Sequence, residues 1–133
     1  MVFIGPGSWI LDMHKSYPQS MFYGIDISPV FPAGDDATDF TNCKFACHDI
    51  REPMSFPDNY FGFIRQQFLV GGIPASDWPT LLKEFMRVAE PGGWIELTEV
   101  VPTDVFNLGP KYAAANYASK FLLSFYYMGP KLS

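Results

Sequence analysis

The chain has 133 residues, of which 48% are apolar and 17% aromatic, and a formal net charge of −5. That length and apolar content specify one globular domain with a real core, and they exclude a disordered chain or a separate substrate domain. Its nine Lys and Arg are scattered without a run. The basic face that a nucleic-acid binder needs to release counterions is therefore missing, and no nucleic-acid partner is expected.

In chain order, Met1 to Gly7 has neither the basic nor the long apolar region of a signal peptide. Val2-Phe3-Ile4 reads as a short first strand ended by Gly5-Pro6-Gly7. Ser8 is placed to cap a helix over Trp9 to Tyr17, stopped before Pro18. Met21 to Ile27 is a second strand, apolar until Asp26, and Ser28 to Thr41 a loop rich in Pro, Gly and Asp. Cys43 to His48 alternates as a third strand running into Asp49-Ile50, followed by a Pro-containing loop from Arg51 to Asn59. Tyr60 to Ile64 is a fourth strand.

Ser76-Asp77-Trp78-Pro79 opens a second helix with the stripe Trp78, Leu81, Leu82, Phe85 and Val88, terminated by Pro91-Gly92-Gly93. Trp94 to Val101 is a fifth strand. Tyr112 to Met128 carries polar and apolar positions at helical spacing and predicts an amphipathic helix within a C-terminal region, 104–133. With Asn116 and Lys120 inside it, and fewer than the roughly 20 apolar residues required, it does not span a membrane.

Cys43 and Cys47 lie four residues apart on one expected strand, about 13 Å, beyond the roughly 7 Å Cα limit of a disulfide. As metal ligands with His48 they lack a fourth partner, and His48 points to the opposite face from Cys47. They read as buried free thiols, with no metal site, in a reducing compartment: cytoplasm or nucleus.

Strands alternating with helices or crossover loops imply an α/β fold with a mostly parallel sheet, where ligands bind at the carboxyl ends of strands. Gly5 and Gly7 follow the first strand, Asp26 ends the second, and Asp49-Ile50 follows the third. Glycines admit close backbone approach and aim helix N–H groups at a ligand. Asp26 stands near the spacing at which an acid accepts from ribose hydroxyls, so the set points to a nucleoside cofactor. A nicotinamide oxidoreductase would want Gly or Ala three residues after Gly7, where Ile10 stands.

Five segments in this order and spacing carry a resemblance: Gly5-Pro6-Gly7-Ser8-Trp9, Tyr23-Gly24-Ile25-Asp26-Ile27-Ser28, Cys47-His48-Asp49-Ile50, Tyr60-Phe61-Gly62-Phe63-Ile64, and Arg87-Val88-Ala89-Glu90-Pro91-Gly92-Gly93-Trp94. The sequence resembles a class I S-adenosylmethionine-dependent methyltransferase, in particular fungal small-methyltransferase-like proteins. The resemblance implies a Rossmann-like three-layer fold as a single domain over 1–133, and S-adenosyl-L-methionine as cofactor. It implies that Gly5 and Gly7 border the methionine and ribose, and that Asp26 holds the ribose hydroxyls. Ile27 would flank adenine, Asp49 receive its amine, Ile50 pack on it, and Gln66 lie near the methionine. Methyl transfer is an in-line displacement driven largely by alignment, so no catalytic residue is named.

The sequence departs from the family pattern at both ends. Where acid-x-Gly-x-Gly-x-Gly is usual, Gly7 and Gly5 supply two glycines, while Phe3 and Met1 stand at the positions of the first glycine and the acid. Gly62 stands where Asp is frequent, and Arg65 where His is common in this subgroup. The first strand is expected to be stunted, the core incomplete and the final two strands missing, which would leave the fifth strand an open edge. Two functions follow: methyl transfer to a small-molecule or protein acceptor, or a degenerate or truncated methyltransferase that does not catalyse and serves as a binding module or not at all. Self-association through the fifth strand or the C-terminal helix is the accompanying expectation.

Overall fold

Apolar runs bounded by turn residues become strands, and two amphipathic runs become helices. The computed structural model describes residues 2–3, 7–31, 40–69, 71–101 and 121–128. The elements are β1 (Val2–Phe3), α1 (Ser8–Ser16), β2 (Phe22–Asp26), β3 (Cys43–Cys47), β4 (Phe61–Gln67), α2 (Trp78–Val88), β5 (Ala89–Val101) and β6 (Phe121–Met128). They form one sheet in the order β3-β2-β1-β4-β5-β6. β1 to β5 are parallel, and β6 runs antiparallel to β5. Strand order reverses at β1, which creates the crevice where ligands of such sheets bind.

The helices cover opposite faces. Trp9 of α1 meets Phe22 of β2 and Phe63 of β4, with ring centroids 6.3 and 5.9 Å apart. On the other face Ile25, Ile64 and Ile95 pack with Leu81, Phe85 and Val88 of α2 in one buried cluster. The alternation of strand side chains thus sends neighbours to different helices, giving three layers. On the α1 face Arg65 pairs with Glu96 across β4 and β5, and its guanidinium lies 5.1 Å from the Trp9 ring centre. Both partners are mostly buried, so losing one would strand a charge under α1.

Side chains secure the loops. Asn42 Nδ2 lies 3.1–3.4 Å from the carbonyls of His14, Tyr17 and Ser20, tying the end of α1 to the start of β3. Arg87 donates to the carbonyls of Met54 and Phe56 and to Asp58, and forks onto Glu84, which also accepts the Met54 N–H. The Arg87 guanidinium holds the Glu84 carboxyl below its ordinary pKa. This network anchors the loop between β3 and β4 against α2.

Several expectations are corrected. Ser8 is the first helical residue, and Gly7, with φ +80°, takes the cap without a side-chain hydrogen bond. β4 runs three residues further than expected, so Gln66 lies within it. Cys47 is exposed and Cys43 half-buried rather than both being buried. Pro91-Gly92-Gly93 does not separate helix from strand but bulges within β5, where the register jumps between the pairs Phe61–Ala89 and Phe63–Trp94. A Cβ on Gly93 would come within 3.0–3.2 Å of the carbonyl oxygens of Glu90, Gly62 and Phe61, so this close approach needs glycine.

The largest correction is at the C-terminus. The amphipathic helix predicted for Tyr112 to Met128 is a strand over its second half, β6; residues 102–120 lie outside the described residues. Alone, β5 would present unpaired N–H and C=O groups, and the aromatic run from Phe121 to Met128, without Gly or Pro, suits a strand. Pairing from Trp94–Met128 to Val101–Phe121 outweighs a helical stripe that short apolar runs cannot specify. One strand therefore stands where both final strands were expected to be missing, and β5 is not the open edge proposed for self-association.

Phe85 has no exposed surface and lies at the centre of the α2 face. Phe85→Ala is expected to lower unfolding stability by about 3–5 kcal/mol. Urea denaturation followed by circular dichroism checks this, and a midpoint unchanged from the parent would contradict the packing described.

Candidate functional site

Parallel strands aim their carboxyl ends at one rim of the sheet, and most of the residues singled out in the sequence arrive there. Asp26 ends β2, beside Cys47 at the end of β3, its register partner. The Asp26 carbonyl accepts the His48 N–H at 2.9 Å, and the Ile27 carbonyl accepts the Cys47 thiol at 3.0 Å, so the two strand ends are sewn together. Asp26 Oδ1 accepts the Ser28 N–H at 2.9 Å, which turns the chain away and fixes the carboxylate. Asp49 makes the corresponding turn with the Arg51 N–H at 3.0 Å.

A cavity of about 160 Å³ opens between these turns, lined by Ile25, Asp26, Ile27, Asp49, Ile50, Arg51, Leu69, Gly72 and Ile73. Four of the seven residues expected at a cofactor site, Asp26, Ile27, Asp49 and Ile50, share this one cavity. Gly7 is buried at the amino end of α1 in a left-handed conformation. Gly5 lies outside the described residues. Gln66 is not among the cavity residues: it is fully buried in β4 and donates through Nε2 to Glu99 of β5. Its Oε1 has no hydrogen-bond partner among the described protein atoms.

Leu69, Gly72, Ile73 and Arg51 were missed in the sequence. The first three belong to the turn after β4, where the Gly72 and Ile73 N–H groups both donate to the Leu69 carbonyl. The Leu69 N–H is held by Glu99 at 2.9 Å. Gly71-Gly72 just after a strand was the available signal. Phe68, before Leu69, has φ +56° and is 55% exposed. A bulky residue there costs about 1–3 kcal/mol, strain that clusters at functional sites.

Arg51 engages both oxygens of Asp49, with Nη2 at 2.5 Å from Oδ2 and Nε at 3.0 Å from each oxygen. Its hydrogen bonds lower the Asp49 pKa to about 2. The carboxylate therefore stays an acceptor throughout the physiological range. Among the described residues, no three His, Cys, Asp or Glu side chains gather as metal ligands.

A family model described as a methyltransferase domain matches residues 2–93. The chain belongs to this methyltransferase family. It is 29% identical over 97 residues to the secondary metabolism regulator laeA of Monascus pilosus, which covers 72% of this chain and 25% of that protein. It is 32% identical over 99 residues to the methyltransferase pytC of Aspergillus terreus, covering 73% and 28%. The chain thus spans about a quarter of the length of these curated relatives. Among solved structures it is similar to the [4+2]-cyclase SpnF, with a TM-score of 0.64 and 25% identity, covering 78% of this chain and 39% of that one. It is also similar to a SAM-dependent methyltransferase from Aquifex aeolicus, with a TM-score of 0.62 and 19% identity, covering 82% and 59%. The Rossmann-like methyltransferase fold and S-adenosyl-L-methionine as the family's cofactor stand on these matches. That a cyclase shares the fold shows that reaction type rests on the site and not on the architecture.

The donor set of this methyltransferase domain fits the nucleoside part of that cofactor: two carboxylate acceptors between isoleucine side chains. At about 160 Å³ the cavity is smaller than the roughly 300–1,000 Å³ of a whole ligand site.

Arg51→Ala is expected to return Asp49 towards an ordinary aspartate pKa of about 3.9. The sign follows from linkage. A folded pKa below the unfolded one contributes stability above about pH 4, lost as pH falls through about 2, and the variant loses that contribution. Carboxyl NMR titration reads the shift directly; an Asp49 pKa still near 2 in the variant would contradict the assignment.

Proposed function

We propose that this chain forms the cofactor-binding core of an S-adenosyl-L-methionine-dependent methyltransferase that acts on a small-molecule or protein acceptor. The carrying observation is the convergence of Asp26, Ile27, Asp49 and Ile50 on one cavity at the carboxyl ends of β2 and β3. A carboxylate can accept from two hydroxyls, and Asp26, already oriented by the Ser28 N–H, is proposed to hold the ribose. Ile27, 60% exposed, and Ile50 are proposed to pack on the two sides of adenine. Asp49 is proposed to accept its amine, with Arg51 moving aside. Gly5 and Gly7 are proposed to let the backbone approach the methionine end, with the amino end of α1 behind them. Gln66 is proposed to act there indirectly, through the Glu99 carboxylate that orders the Leu69 turn.

When bound, the cofactor supplies an electrophilic methyl group on a sulfonium sulfur, displaced in line by an acceptor atom. The protein's share is alignment and exclusion of water, which can account for much of the rate without a proton-transferring residue. The competing function, a methyltransferase fold that does not catalyse, is favoured by one observation: Arg51 occupies both Asp49 oxygens. No helix among the described residues is long and apolar enough to cross a membrane. With two free thiols and no disulfide expected, a reducing compartment, cytoplasm or nucleus, is the proposed location.

Calorimetric titration with S-adenosylmethionine and with its demethylated product tests this. Saturation at micromolar ligand is expected, with Asp26→Ala binding about 10–100-fold more weakly because a charge-assisted hydrogen bond is lost. Absence of heat from a chain shown by circular dichroism to be folded would refute it.

A further inference from the structure

Another cavity, of about 510 Å³, adjoins the cofactor site, between the loop after β3 and the side of α2. Ile50 and Arg51 line both cavities and form the wall between them. The two differ in freedom. Ile50 is 7% exposed and packs in the buried cluster, which anchors the wall. The Arg51 side chain is 47% exposed.

The charges of this neighbouring cavity are unevenly paired. Glu84 and Arg87 pair with each other, and Arg87 also with Asp58. Among the described residues, Glu52, Asp77 and Lys83, which line the same cavity, are in no ion pair. Glu52 and Asp77 nevertheless act on Arg51. Its pKa is raised first by the hydrogen bonds to Asp49 and the Asp49 charge, then by the charges of Asp77 and Glu52. The guanidinium thus stands between Asp49 in one cavity and two carboxylates without an ion-pair partner in the other.

We propose that Arg51 is a latch with two seats: Asp49 while the cofactor site is empty, and Glu52 with Asp77 once the cofactor's amine takes Asp49. This rests on the reading of Asp49 as the acceptor of that amine. The turn lets the side chain leave alone. The Arg51 N–H donates to Asp49 Oδ1 at 3.0 Å, and the Glu52 N–H donates to the Asp49 carbonyl at 3.0 Å. Both bonds belong to the backbone, so the carboxylate keeps its orientation when the guanidinium goes. What departs is Nη2 from Oδ2 and Nε from both oxygens. Oδ2 then accepts the amine. Apparent cofactor affinity is reduced to the fraction of chains in which Arg51 is away from Asp49, and Glu52 and Asp77 raise that fraction.

Calorimetric titration of the full chain with S-adenosylhomocysteine, which has no sulfonium charge, tests this. Arg51→Ala is expected to bind about fivefold more tightly than the parent. Glu52→Gln with Asp77→Asn keeps Arg51 but removes its second seat, and is expected to bind about threefold more weakly. In the Arg51→Ala background the same two changes are expected to lose their effect, because a seat matters only to the residue that uses it. Binding by Arg51→Ala where the parent gives no heat would be the same result in its strongest form. Equal or weaker binding by Arg51→Ala would overturn the latch alone. So would a pair of carboxylate changes that leaves affinity unaltered, or that weakens it equally with and without Arg51. Absence of heat from the parent and from Arg51→Ala alike, both folded by circular dichroism, would overturn the cofactor reading and the latch with it.

Discussion

β1 joins the sheet at its centre through Val2 and Phe3, which pair with Gly24 and Ile25, while Val2 also pairs with Arg65. Through this seam the β2–β3 half meets the β4–β5–β6 half. So short a ladder needs support from both faces. Beneath it, Ile25 of one half packs in the same buried cluster as Ile64 and Ile95 of the other. Above it, Arg65 sits against Trp9 and pairs with Glu96, linking α1, β4 and β5. Packing across the seam therefore does the joining that a longer central strand would otherwise share.

The candidate site depends on the same seam. Its carboxylates come from the ends of β2 and β3, whereas Leu69, Gly72 and Ile73 come from the turn after β4. Neither half alone encloses the cavity. Within it Asp26 accepts the Ser28 N–H, and Asp49 is paired with the Arg51 guanidinium.

The parallel sheet and the clustering of Asp26, Ile27, Asp49 and Ile50 were legible because they depend on local signals: apolar runs, turn residues and acids just after strands. Helix α2 was legible for the same reason, through Leu81, Phe85 and Val88. What was not legible depends on partners distant in the chain. β6 forms because β5 has an edge to cover, and residues 121–128 cannot register that by their own spacing. Gln66 is drawn into the interior by Glu99, and Arg51 onto Asp49, by side-chain geometry that spacing does not encode. The positive φ of Phe68 has no sequence signature at all, since most residues with that conformation are small or polar.

The junction between α2 and β5 has a kinetic consequence. Helix ends at Val88 and strand begins at Ala89, with no loop between them, and the bulge at Pro91-Gly92-Gly93 brings the chain back beside Phe61 and Phe63. β4, α2 and β5 follow one another in the chain, joined by residues 68–77 and by this direct junction, and β1, α1 and β2 likewise follow one another, with Val2 paired to Gly24. Loop-closure entropy favours these local units over the long-range pair of Val2 with Arg65. The crevice at the centre of the sheet is therefore the long-range step of the fold, closed only where the two local units meet.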